Sequence, residues 1–474
     1  MKKLKMAAAC FCGLVLSGCS AVSFTVDGLL NAPKLTEEQS EIHQALIASV
    51  GSNITLKYPK SGENRSAYVI ANIDNEPDNE ALVFYEYNSG DIGDDGLRVN
   101  VLDKDENGKW YSVKELAGAG TDIDRVIISP MGDYNHIDVL VGYQTIAGED
   151  KTLEIYSYRD GDFKRVGLDT YSVLETLDIN SDGYNELITI ERIINAETGS
   201  VTAKASLLYL DENANSADSV KPGDDENPTG TENPAGGANL TGGEIVKEDG
   251  IDMCSNVVSY AASVTGLLNK EHEAIFIDGV NADGNLQTEI VYYRYSSLQN
   301  PMQISSDKLL PMCTRPMGYY SSDMDGDGIV EIPSTQPMTG YENAISDEMV
   351  YLTSWNVYED FFSLEEKYRG YYALSDGYFF AFPNRWRDLV TVKRDNETGE
   401  AVFYKYSGDI NSSMEEVMRI AVSSKNTSDD YVNDGYSVID SKGQLDYLVK
   451  LPADKREQLI LTIDELQNNF HIVE

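Results

Sequence analysis

Alternation of apolar and polar residues predicts β-strands along most of the chain. Between about residues 64 and 365, short runs rich in Val, Ile, Tyr and Phe are separated by acidic turns, a pattern typical of half-buried strands. We expect strands at Ala67–Ile70, Ala81–Tyr87, Val126–Ser129, Val139–Tyr143, Leu153–Tyr158, Leu174–Leu177, Leu187–Ile190, Ile275–Ile277, Ile290–Tyr295 and Met349–Trp355. The pattern therefore predicts a mainly β fold.

Helical periodicity is confined to two segments. Thr36 and Gln39 form a capping box ahead of an apolar stripe, which predicts a helix from Glu37 to Val50 that ends at Gly51. After residue 370 the spacing of the strands changes, and further short strands are followed by a helix that we expect to run from about Asp454 to Asn468. We therefore predict a small α+β domain at residues 370–474.

The first residues resemble a bacterial lipoprotein signal. Lys2, Lys3 and Lys5 precede an apolar run at 6–16, which is too short to span a membrane and ends in Leu-Ser-Gly-Cys19. We predict a signal peptide at 1–18, a diacylated Cys19 that anchors the chain to the membrane, and a tether at 19–35. The alternative is an ordinary signal peptide that ends near a cysteine. In either case we expect the remaining chain to lie outside the cytoplasmic membrane.

Two acidic loops have the spacing of a calcium site. Both follow the pattern D-x-[DN]-x-D-G-x-x-E, in which oxygen atoms at positions 1, 3, 5 and 9 suit a cation that takes 6–8 oxygen ligands. The predicted ligands are Asp178, Asn180, Asp182, Glu186, Asp323, Asp325, Asp327 and Glu331. The alternative is a polar hairpin turn that needs only its own Asx hydrogen bonds.

Weaker copies of this loop occur elsewhere. One copy offers Asn72, Asp74, Glu76 and Glu80, but has Pro77 where the strong loops have glycine. Another offers Asn281, Asp283 and Glu289, and lacks a first ligand unless Asp278 supplies it. Residues 129–138 also lie between two predicted strands, but they have few of the oxygen-bearing side chains of the pattern. We treat these as possible, weaker metal sites.

The copies recur about every fifty residues once an insertion is discounted. Residues 211–248 are rich in Gly, Asn and Pro and contain no aromatic residue, so we predict that they are disordered. A fixed period of this size, built from short strands, indicates a β-propeller. We expect five to six blades within residues 54–369.

The spaced loops resemble the FG-GAP/VCBS repeats of integrin-α-type propellers. The stretch from Ile54 to Tyr85 is similar, more narrowly, to VCBS-repeat lipoproteins of Gram-positive bacteria. This resemblance covers about residues 54–365. It implies a propeller whose loops bind structural Ca²⁺ between neighbouring strands of a blade.

Composition narrows the class of partner. The net charge of −42 repels nucleic acid, which we exclude as a partner. Cys254 and Cys313 are the only cysteines after Cys19, and we expect two free buried thiols, although an oxidising compartment would allow them to pair. No Cys/His pattern predicts zinc.

Two functions fit these observations. The first is a binding or scaffolding lipoprotein that presents a calcium-stabilised propeller to an envelope protein or glycan. The second is an extracellular polysaccharide lyase or hydrolase, with a cleft that draws on Arg294, Arg315 and Tyr319. None of the four histidines lies in a recognisable catalytic motif, which favours the binding module.

Overall fold

A computed structural model describes residues 35–473 except 89–95, 132–136, 146–149, 160–161, 195–196, 200, 212–243, 249, 255–256, 305–312, 346–347, 359–362 and 454–457. Six antiparallel sheets of four or five strands follow one another along the chain. The protein is therefore mainly β with a propeller-type arrangement, as the sequence predicts. Within the described ranges, no helix has the length and apolar character needed to cross a membrane.

The first three sheets, which we call blades 1 to 3, cover residues 54–253. Blade 1 contains β1 (Ile54–Leu56), β2 (Tyr68–Ala71), β3 (Glu80–Tyr87), β4 (Leu97–Lys104) and β5 (Trp110–Ala117). Blade 2 contains β6 (Asp122–Ser129), β7 (Asp138–Gln144), β8 (Lys151–Arg159) and β9 (Asp162–Tyr171). Blade 3 contains β10 (Val173–Leu177), β11 (Glu186–Ile194), β12 (Val201–Asp211), β13 (Glu244–Lys247) and β14 (Ile251–Met253).

Two further blades and a sixth sheet complete the fold. Blade 4 contains β15 (Val257–Asn269), β16 (His272–Asn281), β17 (Leu286–Arg294), β18 (Ser297–Gln299) and β19 (Thr314–Arg315). Blade 5 contains β20 (Ile332–Pro337), β21 (Tyr351–Tyr358), β22 (Leu364–Ala373), β23 (Tyr378–Ala381) and the last strand β29 (Phe470–Ile472). The C-terminal sheet contains β24 (Val390–Arg394), β25 (Ala401–Lys405), β26 (Glu415–Ser424), β27 (Ser437–Lys442) and β28 (Leu445–Lys450).

Among the described residues, four helices accompany the sheets. They are α1 (Glu37–Val50), α2 (Pro301–Ile304), α3 (Ser428–Asn433) and α4 (Ile463–Asn468), with a 3₁₀ turn at Asn384–Trp386. Helix α1 begins and ends where the sequence predicts, with the Thr36–Gln39 capping box formed. Its Ile42 and Leu46 pack on blade 1.

Apolar side chains fill the space between consecutive sheets. One core joins blades 1 and 2 through residues such as Phe84 and Val141, and another joins blades 2 and 3. Similar cores join blade 3 to blade 4 and blade 4 to blade 5. The core between blade 5 and the C-terminal sheet is built around Trp386 and Phe403. Because each of these cores uses side chains from two sheets, burial holds consecutive sheets next to one another in space.

Several predicted boundaries differ from the structure. Glu244–Lys247 form β13 on β12, within the segment predicted to be disordered, and residues 212–243 of that segment lie outside the described residues. The predicted domain boundary after residue 369 falls inside β22, so blade 5 continues across it. The last helix begins only at Ile463, because the Thr462–Glu465 capping box starts it there.

Cys254 and Cys313 are both free, as the sequence analysis favoured. Cys313 is fully buried and Cys254 is half-buried. Burial raises the pKa of the Cys313 thiol to about 12, so this thiol stays protonated and behaves as a small apolar side chain.

Candidate metal centre

Four acidic loops lie at matching corners of their blades. In blades 2 and 3 the loop joins the first two strands of the blade, at 130–137 and 178–185, and in blade 1 it joins β2 to β3, at 72–79. In blade 5 the loop at 323–330 is closed by an isolated bridge between Ser322 and Glu331, immediately before β20. The two strong loops predicted from the sequence therefore occupy equivalent positions in sister sheets.

A shared hydrogen bond closes all four loops. The carboxylate at position 9 accepts the backbone N–H of the buried apolar residue at position 2. The four bonds are Ile73 to Glu80 at 2.8 Å, Met131 to Asp138 at 2.8 Å, Ile179 to Glu186 at 3.1 Å and Met324 to Glu331 at 2.8 Å. The acid at position 9 therefore has a structural role that does not depend on an ion. Asp138 was not among the predicted ligands. Its signal in the sequence is Met131, an apolar residue seven positions before an acid.

Backbone conformation separates the strong loops from the weak one in blade 1. Position 4 has a positive φ in all three described cases, at Asn75, Ser181 and Gly326. Position 6 is also left-handed in the strong loops, with φ of 96° at Gly183 and 88° at Gly328. Pro77 holds φ near −65° and cannot adopt that conformation. The loop of blade 1 therefore departs from the calcium-type turn at this residue.

The loop of blade 5 gathers three aspartates. One carboxylate oxygen from each of Asp323, Asp325 and Asp327 lies within 4.8 Å of the others. Asp323 accepts the backbone N–H groups of Gly326, Asp327 and Gly328 at 2.8–3.1 Å, so its carboxylate orients the turn. This is the one such acidic cluster among the residues that the structure describes.

A lysine from a neighbouring strand reaches into the same cluster. Lys367, on β22, places its Nζ 2.8 Å from Asp325 Oδ2, 2.8 Å from Asp327 Oδ2 and 2.7 Å from Glu331 Oε1. These are three of the four carboxylates predicted as calcium ligands in the blade 5 loop. Tyr368, the next residue, donates its hydroxyl proton to Asp325 at 2.8 Å. The lysine lies 40 residues after Asp327 in the chain, and no sequence pattern connects the two.

Burial and Lys367 shift the pKa values of these carboxyl groups in opposite directions. Burial raises the pKa of Glu331 to about 7, although the hydrogen bond from Lys367 opposes this. At Asp325 burial acts in the same direction, but the hydrogen bonds from Lys367 and Tyr368 outweigh it and leave the pKa below its ordinary value. One ammonium group is therefore shared among more acidic groups than it can neutralise.

The donor set fits a hard divalent cation. Carboxylate oxygens are the ligands that Ca²⁺ prefers, and clustered carboxylates repel one another unless a cation lies among them. Asp325 Oδ1 is buried and has no hydrogen-bond partner within the described structure. An unpartnered buried carboxylate oxygen is costly, and a cation would satisfy it. Asp323, Asp325, Asp327 and Glu331 would hold that ion.

The second strong loop, in blade 3, is arranged differently. Asp178 accepts the backbone N–H groups of Asp182 and Gly183, each at 2.9 Å. The Asn180 amide donates to Asp182 at 3.1 Å and to Glu186 at 2.9 Å, so an amide lies where the loop of blade 5 has the ammonium of Lys367. To ligate an ion, Asn180 would have to turn its carbonyl oxygen towards these carboxylates.

The weak loop assigned to blade 4 is not equivalent to the others. Asn281 is the last residue of β16, and Asp283 lies in the tight turn between β16 and β17, the second and third strands of the blade. Glu289 points away from this turn and accepts the Cys254 N–H at 2.7 Å and the Asn300 amide at 3.0 Å. These three residues therefore do not form a loop equivalent to the others, because the turn joins a different pair of strands, and a metal role for them stays a prediction.

The proposed lyase cleft is also not formed. Arg315 is 1% exposed and donates to Asp278 at 2.8 Å, to Thr288 at 2.6 Å and to the Tyr319 carbonyl oxygen. This buried ion pair leaves the guanidinium without access to a substrate. It also shows why Asp278 cannot serve as a first loop ligand. Arg294 instead lies over the ring of Tyr295, 4.7 Å from the ring centre.

Comparison with known proteins does not identify a family for this chain. No family model matches the chain, and no curated protein matches it. The chain is similar to a 6-phosphogluconolactonase-like protein from Bacteroides uniformis, at 10% identity and a TM-score of 0.28 over 78% of this chain and 92% of that one. It is also similar to an exotype rhamnogalacturonan lyase, at 10% identity and a TM-score of 0.26 over 72% and 60%. The fold assignment therefore depends on the strand order and the cores between sheets.

Proposed function

We propose that this protein is a lipid-anchored, extracytoplasmic binding module of the FG-GAP/VCBS type, whose propeller is stabilised by Ca²⁺. The lipid would be attached at Cys19, which lies outside the described residues, and would hold the module at the outer face of the cell membrane. The module would bind a protein or glycan of the cell envelope.

The unpartnered Asp325 Oδ1 is the observation that carries the calcium assignment. It lies in a loop with calcium-type spacing, beside two further aspartates and a glutamate whose pKa is raised to about 7 by burial. Bound calcium supplies two positive charges where Lys367 supplies one. The ion would then strengthen the corner where β20 begins, and β20 is the edge strand that pairs with β21 in blade 5.

A binding role is favoured over the lyase alternative. The arginine on which a lyase cleft would depend is held in the buried pair with Asp278. The propeller-type stack instead provides a rigid frame, because each blade is packed against its neighbours. Loops on a rigid scaffold are a common way to build a binding surface.

Thermal unfolding of the full-length protein in detergent tests the calcium assignment. We expect the melting temperature to fall by several degrees in EGTA and to recover when CaCl₂ is added, because a ligand that binds only the folded state stabilises it. Asp325→Asn should remove most of this response. Asp283→Asn, an exposed loop aspartate at the non-equivalent corner of blade 4, is the matched control and should keep it. A wild-type melting temperature that ignores calcium would contradict the proposal.

A further inference from the structure

A wide cleft opens between blade 5 and the C-terminal sheet. Its volume is about 1010 Å³, at the upper end of the ~300–1,000 Å³ that ligand pockets span. The connection between β20 and β21 forms one wall, and the segments that follow β24 and β25 form the other. The residues of the acidic loop in blade 5 do not line it.

Tyrosines provide most of the aromatic surface of the cleft. Its lining includes Tyr319, Tyr341, Tyr351, Tyr371, Tyr372 and Tyr406. Tyr319 lies at the base, where its ring meets Tyr351 edge-on at 5.9 Å and Tyr372 edge-on at 5.7 Å. Burial, reinforced by the neighbouring phenols, raises the pKa of Tyr319. The Tyr319 phenol therefore stays neutral, and each phenol of the cleft offers a hydroxyl group that can both donate and accept hydrogen bonds.

The wall formed by the β20–β21 connection is held in place before any ligand arrives. Tyr341 donates its hydroxyl proton to the Val392 carbonyl oxygen at 2.9 Å, and the Thr391 hydroxyl donates to the Thr339 carbonyl oxygen at 2.7 Å. Gly340 allows the close approach of the opposite wall, because a Cβ there would lie 2.7 Å from the Tyr406 ring. A wall fixed in this way loses little conformational entropy when a ligand binds.

The rim is polar, and its charge selects the ligand. Asn343, Asn396 and Asn411 supply amide donors and acceptors. Arg394 lies at the edge, but its guanidinium is paired with both oxygens of Asp376 at 2.8 and 3.1 Å. Acidic groups also lie at the rim, and the whole chain carries a charge of −42. An anionic polymer is therefore disfavoured.

We propose that this cleft binds an uncharged pyranose polysaccharide. The faces of a pyranose ring carry C–H groups that pack on tyrosine rings, and its hydroxyl groups match phenol and amide partners around the ring. The size of the cleft suits several linked sugar units rather than one. This inference rests on the proposed binding function and names the ligand class of that module.

Affinity electrophoresis tests the inference. The full-length protein in detergent is run through native gels that contain galactomannan, xyloglucan, glycogen or the anionic control polygalacturonate. We expect retardation by at least one neutral polysaccharide and none by polygalacturonate. Tyr406→Ala and Asn343→Ala should each weaken this retardation several-fold. Tyr58→Ala, which removes a 57% exposed tyrosine in blade 1, should leave it unchanged.

Two further measurements separate the possible outcomes. Circular dichroism and melting temperature establish that each variant is folded, and Asn343→Ala, on the exposed rim, covers the case in which Tyr406→Ala unfolds. No retardation by any neutral polysaccharide, stronger retardation by polygalacturonate, or retardation that neither cleft variant changes would overturn the inference. If calcium stabilises the protein in these cases, the proposed calcium site stands without the cleft. Retardation without a calcium response would support the polysaccharide cleft and contradict the calcium site.

Discussion

Lys367 Nζ lies 2.8 Å from Asp325 Oδ2, in the position where a loop of this type is expected to hold a metal ion. Strand β22 thus supplies a cation of the protein's own to the carboxylates of the blade 5 loop. The ammonium and a calcium ion would share the same ligands. Lys367 is therefore expected to support the loop when calcium is scarce and to compete with calcium when it is present.

Replacing the lysine separates these two effects. In EGTA, Lys367→Met should lower the free energy of unfolding by ~2 kcal/mol, because partly buried carboxylates lose their counter-charge. In saturating calcium the loss should shrink, and the calcium affinity should rise. Urea unfolding with and without calcium measures both effects. Lys270→Met, at the exposed β15–β16 turn, is the control, and equal losses in both conditions would refute the competition.

Glu80 predicts a pH dependence of stability. Burial raises its pKa from 4.5 to about 7, with the Ile73 N–H acting in the opposite direction. The folded state therefore holds the proton more tightly, so this contribution is complete below about pH 4.5 and is lost as the pH rises through about 7. Glu80→Gln should make the decline between these values shallower. Urea unfolding at several pH values, with Glu63→Gln as an exposed control, checks this, and an unchanged slope would count against it.

The buried pair of Arg315 and Asp278 should be costly to break. Arg315→Met leaves Asp278, which is 2% exposed, without its cation, and removal of one partner of a buried pair costs ~3–5 kcal/mol. Arg385→Met removes a more exposed pair with Glu465 and should cost less than ~1 kcal/mol. Chemical denaturation compares the two variants. Equal losses would show that Arg315 has no special structural role.

Lipid attachment is tested at Cys19. Metabolic labelling with radioactive palmitate should mark the wild-type protein, and Cys19→Ala should abolish the label and move the protein out of the membrane fraction. Cys254→Ala removes a cysteine of the folded part and should change neither result. If the label persists in Cys19→Ala, the lipid is attached at another residue and Cys19 is not the anchor.

Local patterns predicted the elements whose causes are local. The Thr36–Gln39 capping box fixed α1 correctly, and glycines at position 6 correctly marked the two strong loops. Several strands were not predicted, among them β4, β5, β9, β12, β15 and β22. In β5 and β15 most side chains are only partly buried, so no buried run marks these strands. The last helix was extended too far because Leu459 is buried without being helical.

The features that depend on distant contacts were not predictable. Nothing near the blade 5 loop indicates that Lys367 enters it, and Tyr406 joins Tyr319 in one cleft only because the C-terminal sheet packs on blade 5. Similarly, Asn281 resembles a loop ligand in sequence, yet it is the last residue of β16, at the turn into β17. Spacing along the chain defines a turn, whereas the partner of that turn depends on how the sheets pack.

Calorimetric titration of calcium into the full-length protein tests the central claim most directly. We predict saturable binding that includes one site in the blade 5 loop, weakened at least tenfold by Asp325→Asn and unchanged by Asp283→Asn. Absence of binding heat at every calcium concentration tried, or an isotherm identical in wild type and Asp325→Asn, would contradict the assignment of these carboxylates as calcium ligands.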